Sequence, residues 1–198
     1  MVAITLSRQI GSLGDEIASA VGALLGFRVI CRELINQAAA AAGYPEMALA
    51  LIDDFGLLGM RPSKRCCASF AAAEREVYLQ FIDQGHVVLV CGDGAVMLQE
   101  LPDVLHIRII APANLRAQRL AAQHKISVAA ALARVEASDR ARRVFIRKQH
   151  RTCWDDPHLY DLIINTDKVT VPDAAALICA AVNRFAGAGS PQEERHVD

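Results

Sequence analysis

Two stretches of this 198-residue chain carry residue types and spacings suited to phosphate chemistry. The first, S-R-Q-I-G-S-L-G over Ser7 to Gly14, is a polar, glycine-bearing loop between an apolar run and a helical pattern. A loop that opens a helix in this way points backbone N–H groups and the positive helix end at one spot, which suits an anion. The plainer reading is that Gly11 and Gly14 only make a tight turn. Neither G-x-x-x-x-G-K-[ST] nor G-x-G-x-x-G is present, and the first lysine is Lys64. The second stretch, Arg134 to Arg151, has six arginines and one lysine against Glu136 and Asp139. The planar five-donor fork of arginine suits phosphate, and Arg140, Arg143, Arg147 and Arg151 recur on one helical face. A solvated basic face or a nucleic-acid patch would show the same run.

The elements that must position these stretches alternate strand and helix. Val2 to Leu6 is a short strand, and Ile17, Val21, Leu24 and Leu25 give the next segment a helical period. Gly26 ends that helix. Phe27 to Cys31 reads as a second strand, followed by an alanine-rich helix opened by Arg32 and Glu33. A punctuated stretch and a helix over Ser63 to Gln84 then return the chain to the sheet. His86 to Cys91 is a continuous apolar run, the pattern of a parallel strand buried on both faces. A helix over Ala95 to Leu101, a strand over Val104 to Ile110 and a helix capped by Asn114 come next. Then follow a longer helix capped by Ser127 and running to His150, a strand over Tyr160 to Asn165, and a helix over Thr170 to Phe185. The pattern predicts a parallel sheet covered on both faces, with ligands at the carboxyl ends of the strands. Besides the glycine loop, that end receives Arg32 and Glu33, Asp93 after the third strand, and Arg116 and Arg119 in the helix after the fourth.

Composition narrows the class. With 53% hydrophobic residues, 22% charged residues and a net charge of −1, the chain suits one globular domain. One basic helix on a near-neutral chain fits a small polyphosphate better than a duplex, so no nucleic-acid partner is expected. No apolar run is long enough to span a bilayer, so no membrane partner is expected either. The six cysteines lack C-x-x-C spacing and read as buried thiols in a reducing, cytoplasmic compartment; no metal cluster stands out. The sequence sets no oligomeric state. Trp154 and Phe145 read as packing residues, His106 as structural, Asp53-Asp54 as a solvated helix end, and Asp155-Asp156-Pro157 as a turn.

Taken in order, I-T-L-S-R-Q-I-G-S-L-G-D-E-I-A, V-I-C-R-E-L-I-N-Q-A-A, V-V-L-V-C-G-D-G, V-L-H-I-R-I-I-A-P, S-D-R-A-R-R-V-F-I-R and W-D-D-P-H-L-Y-D-L-I-I-N-T-D resemble the cytidylate-kinase-like branch of the P-loop nucleoside monophosphate kinases. The resemblance implies a three-layer α/β fold of the P-loop kinase type with a five-stranded parallel sheet. It divides a single domain over 1–186 into an acceptor-binding helical insertion at about 32–84 and an arginine-rich lid at about 127–157, with a loose tail over 187–198. It implies ATP-dependent phosphoryl transfer to a nucleoside monophosphate, CMP or dCMP, with ATP and Mg²⁺ as cofactors. The backbone of Gly11, Ser12, Leu13 and Gly14 would cradle the donor phosphates, with Arg8, Asp15, Glu16, Arg116 and Arg119 around them. Asp139, Arg140, Arg142 and Arg143 would form the catalytic lid, Asp139 and Arg142 falling on its D-x-x-R pattern. Arg32, Glu33 and Asp93 would serve the acceptor; the metal ligands are undetermined. Because the P-loop lysine is missing, the alternative is a non-catalytic nucleotide-binding or regulatory protein on the same fold.

Overall fold

The structure, a computed structural model, describes residues 2–31, 36, 40 and 64–188. Five parallel strands, β1 (Ala3–Arg8), β2 (Arg28–Ile30), β3 (Val87–Val90), β4 (Val104–Ile110) and β5 (Leu162–Asn165), form one sheet in the order β2-β3-β1-β4-β5. The helices are α1 (Gly14–Leu25), α2 (Lys64–Asp83), α3 (Gly94–Met97), α4 (Ala113–His124), α5 (Val128–His150) and α6 (Val171–Ala188). A short 3₁₀ turn covers Pro157–Leu159. The parallel α/β architecture expected from the alternating pattern is the one found.

Strand alternation divides the core. Val87 and Leu89 of β3 pack with Val77, Tyr78 and Phe81 of α2, whereas Val88 and Val90 face Ile17 and Val21 of α1 and Ile178 of α6. A strand buried on both faces must be apolar at every position, and all four residues of β3 are buried. A third cluster, with Ala117 and Leu120 on one side and Ala131 and Val135 on the other, packs α4 against α5. The carboxyl ends of β1, β3 and β4 therefore share one edge, where the sheet changes direction about β1.

Local differences from the sequence reading have local causes. Ser127 caps α5 as expected, its side chain accepting from the Ala130 N–H. Pro112 rather than Asn114 occupies the start of α4, because its fixed φ suits the position and its missing N–H is not needed there. Helix α3 is only four residues long, short of the expected Ala95–Leu101. Helix α6 continues to Ala188, through the start of the expected tail; residues 189–198, like Arg32, Glu33 and Asp53-Asp54, lie outside the described residues. Cys91 is buried and Cys31 and Cys179 are half-buried, but Cys153, in the turn after α5, is exposed.

Candidate functional site

The loop after β1 is shaped by two left-handed residues, Gly11 at φ 74° and Leu13 at φ 65°. At Gly11 the need for glycine is also steric, since a Cβ there would stand 2.8 Å from the Arg116 carbonyl oxygen. The loop's carbonyls are turned toward the body. Arg119 donates to the Gly11 carbonyl at 3.3 Å and to Thr166 Oγ1 at 2.9 Å, and Thr166 Oγ1 donates to the Ser12 carbonyl at 2.9 Å. The donors are left for something else. The first N–H groups of α1 have no intrahelical acceptor by geometry, and Leu13, at the capping position, supplies no side-chain bond. Ser12 is fully buried, and its Oγ is without a partner. The start of α1 borders a cleft of about 630 Å³ whose walls include Arg8, Gly14, Asp15, Arg119, Arg142 and Trp154, and Ser12 lies buried behind that wall. Unpaired donors, a positive helix end and arginines around one cleft fit the phosphates of a nucleotide.

The arginine-rich α5 closes the other side and is fastened at three points. In its middle, buried Asp139 accepts two bonds from Arg116 of α4, at 3.1 and 2.8 Å. Further along, Arg143 donates to Asp155 Oδ2 at 2.6 Å, while Arg108 of β4 reaches the other oxygen of the same carboxylate at 2.6 Å. Arg108 also donates to the Trp154 carbonyl, and its guanidinium lies between the Trp154 and Tyr160 rings, 4.3 and 5.2 Å from their centroids. The Trp154 indole donates to Ser7 Oγ at 3.1 Å, tying the segment after α5 to the end of β1. Burial works to raise the Asp155 carboxyl, but the bonds and charges of Arg143 and Arg108 hold it below its ordinary range. At the helix end, His150 Nε2 lies 3.2 Å from Asp93 Oδ2.

Asp93 belongs to a buried acidic cluster at the end of β3. Tyr78 Oη lies 2.9 Å from Glu74 Oε1 and 2.9 Å from Asp93 Oδ1. A phenol has one proton, so it donates to one carboxylate and must accept from the other. Burial, then the neighbouring charge of Asp93, push the Glu74 carboxyl well above its ordinary range. Burial also works to raise Asp93, but His150, Tyr78 and Arg142 outweigh it and hold Asp93 below its ordinary range. The consistent arrangement is a neutral Glu74 donating to Tyr78, with Tyr78 donating to an ionised Asp93. Arg142 contributes to both environments and passes against Gly92, where a Cβ would collide with its guanidinium. It therefore stands between the glycine loop and the acidic cluster.

A model of the cytidylate kinase-like family matches residues 3–168. The chain belongs to this family. A search of curated proteins found no match. Among solved structures, an uncharacterized protein from Eubacterium ventriosum shares 17% identity at a TM-score of 0.72, over 92% of this chain and 99% of the other. A gluconokinase from Sinorhizobium meliloti shares 14% identity at 0.58, over 94% of each chain. A shikimate kinase from Acinetobacter baumannii, in complex with shikimate, shares 16% identity at 0.54, over 93% and 94%. At these identities the likeness to solved structures is one of fold.

In this cytidylate kinase-like chain the cleft wall brings together Arg8, Gly11, Leu13, Gly14, Asp15, Glu16, Arg119 and Arg142, with Ser12 buried beneath. Other residues expected at the site take different places. Arg116, expected among the phosphate contacts, is buried with its guanidinium on Asp139; the pair joins α4 to α5. Asp139, expected in the lid beside Arg142, accepts from Arg116 with both carboxylate oxygens. Arg140 is largely exposed and lies 3.7 Å from Glu136, one turn earlier on the same helix. Arg143 is half-exposed and engaged by Asp155. Glu74, Tyr78 and His150 were not singled out from the sequence. The signal available was weak: a glutamate and a tyrosine four apart on an otherwise apolar helix face. His106 is buried in β4 with its Nδ1 2.7 Å from Thr5 Oγ1, while its Nε2 has no hydrogen-bond partner among the described residues. No group of three or more His, Cys, Asp or Glu able to hold a metal ion occurs among the described residues, and no described helix is long and apolar enough to cross a membrane.

Proposed function

We propose that the chain transfers the terminal phosphoryl group of ATP to a nucleoside monophosphate, CMP or dCMP, in the cytoplasm. The observation that carries this reading is the uncapped start of α1, with the orphaned Ser12 Oγ beneath it and Arg119 bracing the loop, facing Arg142 across one cleft. Phosphoryl transfer needs positioning and neutralisation of charge more than covalent chemistry. The α1 N–H groups and Arg119 would hold the donor phosphates. Arg142 stands between that loop and the end of β3, where charge on a migrating phosphoryl group would develop. Mg²⁺ would be carried largely by the phosphates, with Asp15 and Glu16 the carboxylates at the cleft edge. The trait that brings CMP or dCMP to the fore is family membership.

A second reading, a nucleotide-binding regulator without turnover, draws on a specific feature: Arg8 and Asp15 are paired at 2.6 Å at the mouth of the loop. One experiment separates the two. ADP release from ATP and Mg²⁺ is followed over a panel of nucleoside monophosphates, with shikimate and gluconate included because the neighbouring folds act on them, beside a direct ATP titration. Turnover on CMP or dCMP is the expected result. ATP binding with no turnover on any acceptor selects the regulator, and turnover confined to shikimate or gluconate replaces the acceptor class.

A further inference from the structure

The nucleotide reading, on which this inference rests, leaves a chemical gap: a triphosphate needs a cation where a P-loop supplies its lysine. In a strand–G-x-x-x-x-G-K-[ST]–helix loop the lysine opens the helix and the first glycine lies at the strand's end, about six residues earlier. Here β1 ends at Arg8 and α1 begins at Gly14. Laid on that frame, Arg8 stands at the first glycine, Leu13 at the second, Gly14 at the lysine and Asp15 at the Ser/Thr. The backbone supports the register, because Leu13 adopts the left-handed conformation, φ 65° and ψ 21°, that a glycine ordinarily supplies.

The side chains at the two ends of the frame interlock. A Cβ added to Gly14 would stand 2.5 Å from the Arg8 Cβ, 3.1 Å from its Cδ and 3.2 Å from its Cγ. The whole stem of Arg8 thus lies across the point from which a lysine at position 14 would depart. Asp15 fixes the direction of its head by accepting from Nε at 2.6 Å, and Arg8 borders the same cleft as Arg119 and Arg142. We propose that Arg8 and Gly14 are an exchanged pair. The cation that meets the donor phosphates comes off the end of β1 instead of the start of α1, and position 14 is glycine because Arg8 occupies the lysine's space. Arg8 is then a binding residue for the polyphosphate, offering a planar fork where the usual loop offers a point charge.

The test uses the full chain and four variants, each measured by thermal unfolding and by titration with ATP and with adenosine. Arg8→Gly should weaken ATP by about tenfold or more and leave adenosine unchanged, since only ATP presents the charge. Gly14→Lys should lower Tm without strengthening ATP binding, because its stem meets that of Arg8. The double variant Arg8→Gly/Gly14→Lys should recover both Tm and ATP affinity to within about threefold of wild type, a coupling that independent sites would not show. Arg8→Lys, which keeps a charged stem over Gly14, should retain Tm and most ATP affinity. The exchange is overturned if folded Arg8→Gly binds ATP like wild type, if the double variant binds no better than Arg8→Gly, or if Gly14→Lys leaves Tm unchanged. Failure of wild type to bind ATP overturns the nucleotide reading itself, and it is distinguishable because the Tm coupling between positions 8 and 14 is read without ligand.

Discussion

The two walls of the cleft are built on opposite principles. The glycine loop is held by its backbone: its carbonyls are drawn inward by Arg119 and Thr166, and its shape rests on two left-handed residues. The arginine helix is held by side chains, through Asp139, Asp155 and Asp93. A wall made of backbone tolerates changes of residue as long as the dihedrals survive, which is how a leucine can stand at Leu13. A wall held by side-chain pairs weakens when one partner is lost, most where the other is left buried and unmatched, as Arg116 would be.

The sharpest way to break this contrast is at Asp139. Arg116 is almost wholly buried, so Asp139→Ala strands a guanidinium and should cost about 3–5 kcal/mol in urea unfolding. Replacing both partners with apolar residues of similar volume should recover most of that loss. A loss under about 1 kcal/mol for Asp139→Ala would show that the pair is not what fastens the helix.

Next in size is Arg142→Ala. If the arginine acts on charge that develops during transfer, kcat and kcat/KM should fall together by roughly 10² or more, with ATP binding nearly intact. A rate equal to wild type on the same acceptor would remove Arg142 from the chemistry.

A paired substitution in the acidic cluster tests the placement of protons. Glu74 is raised in the folded state, so the stability it contributes is fully present below the ordinary carboxylate range and declines as pH rises through the folded value. Asp93 is depressed, so its contribution is present above that range and is lost as pH falls through the folded value. Glu74→Gln, neutral at every pH and still able to donate to Tyr78, should flatten the decline toward alkaline pH and match or exceed wild type there. Asp93→Asn should cost about 1–3 kcal/mol near neutrality, by weakening the charged bonds with His150 and Tyr78. Denaturant curves at pH 5 and pH 8 check both. Equal penalties at pH 8 would mean that both carboxylates are ionised.

The smallest effect belongs to the loop. Leu13→Gly relieves a left-handed side chain but frees the unfolded chain, and the balance should favour the variant by about 0.5 kcal/mol, read as a modest rise in Tm. A loss of 1 kcal/mol or more would show that the leucine side chain contributes packing that outweighs its backbone.

Legibility in the sequence follows the same division. The strand over Val104 to Ile110 and the cap at Ser127 were readable because each depends on local pattern, an apolar run or a hydroxyl at a helix start. The glycine loop was readable as a strand-to-helix turn, but the left-handed Leu13 was not, since nothing in a leucine announces positive φ. Arg116 and Asp139 lie 23 residues apart on different helices, and their union depends on how α4 packs against α5. Sequence offers an inventory of charges there without their pairing. The same holds for Tyr78, Asp93 and His150, which meet only because β3 ends where α2 and the last turn of α5 converge.

Trp154 has an optical consequence. It is the single tryptophan of the chain, it is buried, the residue borders the cleft, and a guanidinium lies over its ring. Emission excited in the indole band therefore comes from one site with one environment. The protein carries a built-in fluorophore beside the cleft, so a change of its intensity or wavelength on titration is the expected sign of occupancy, with no second indole to dilute the signal.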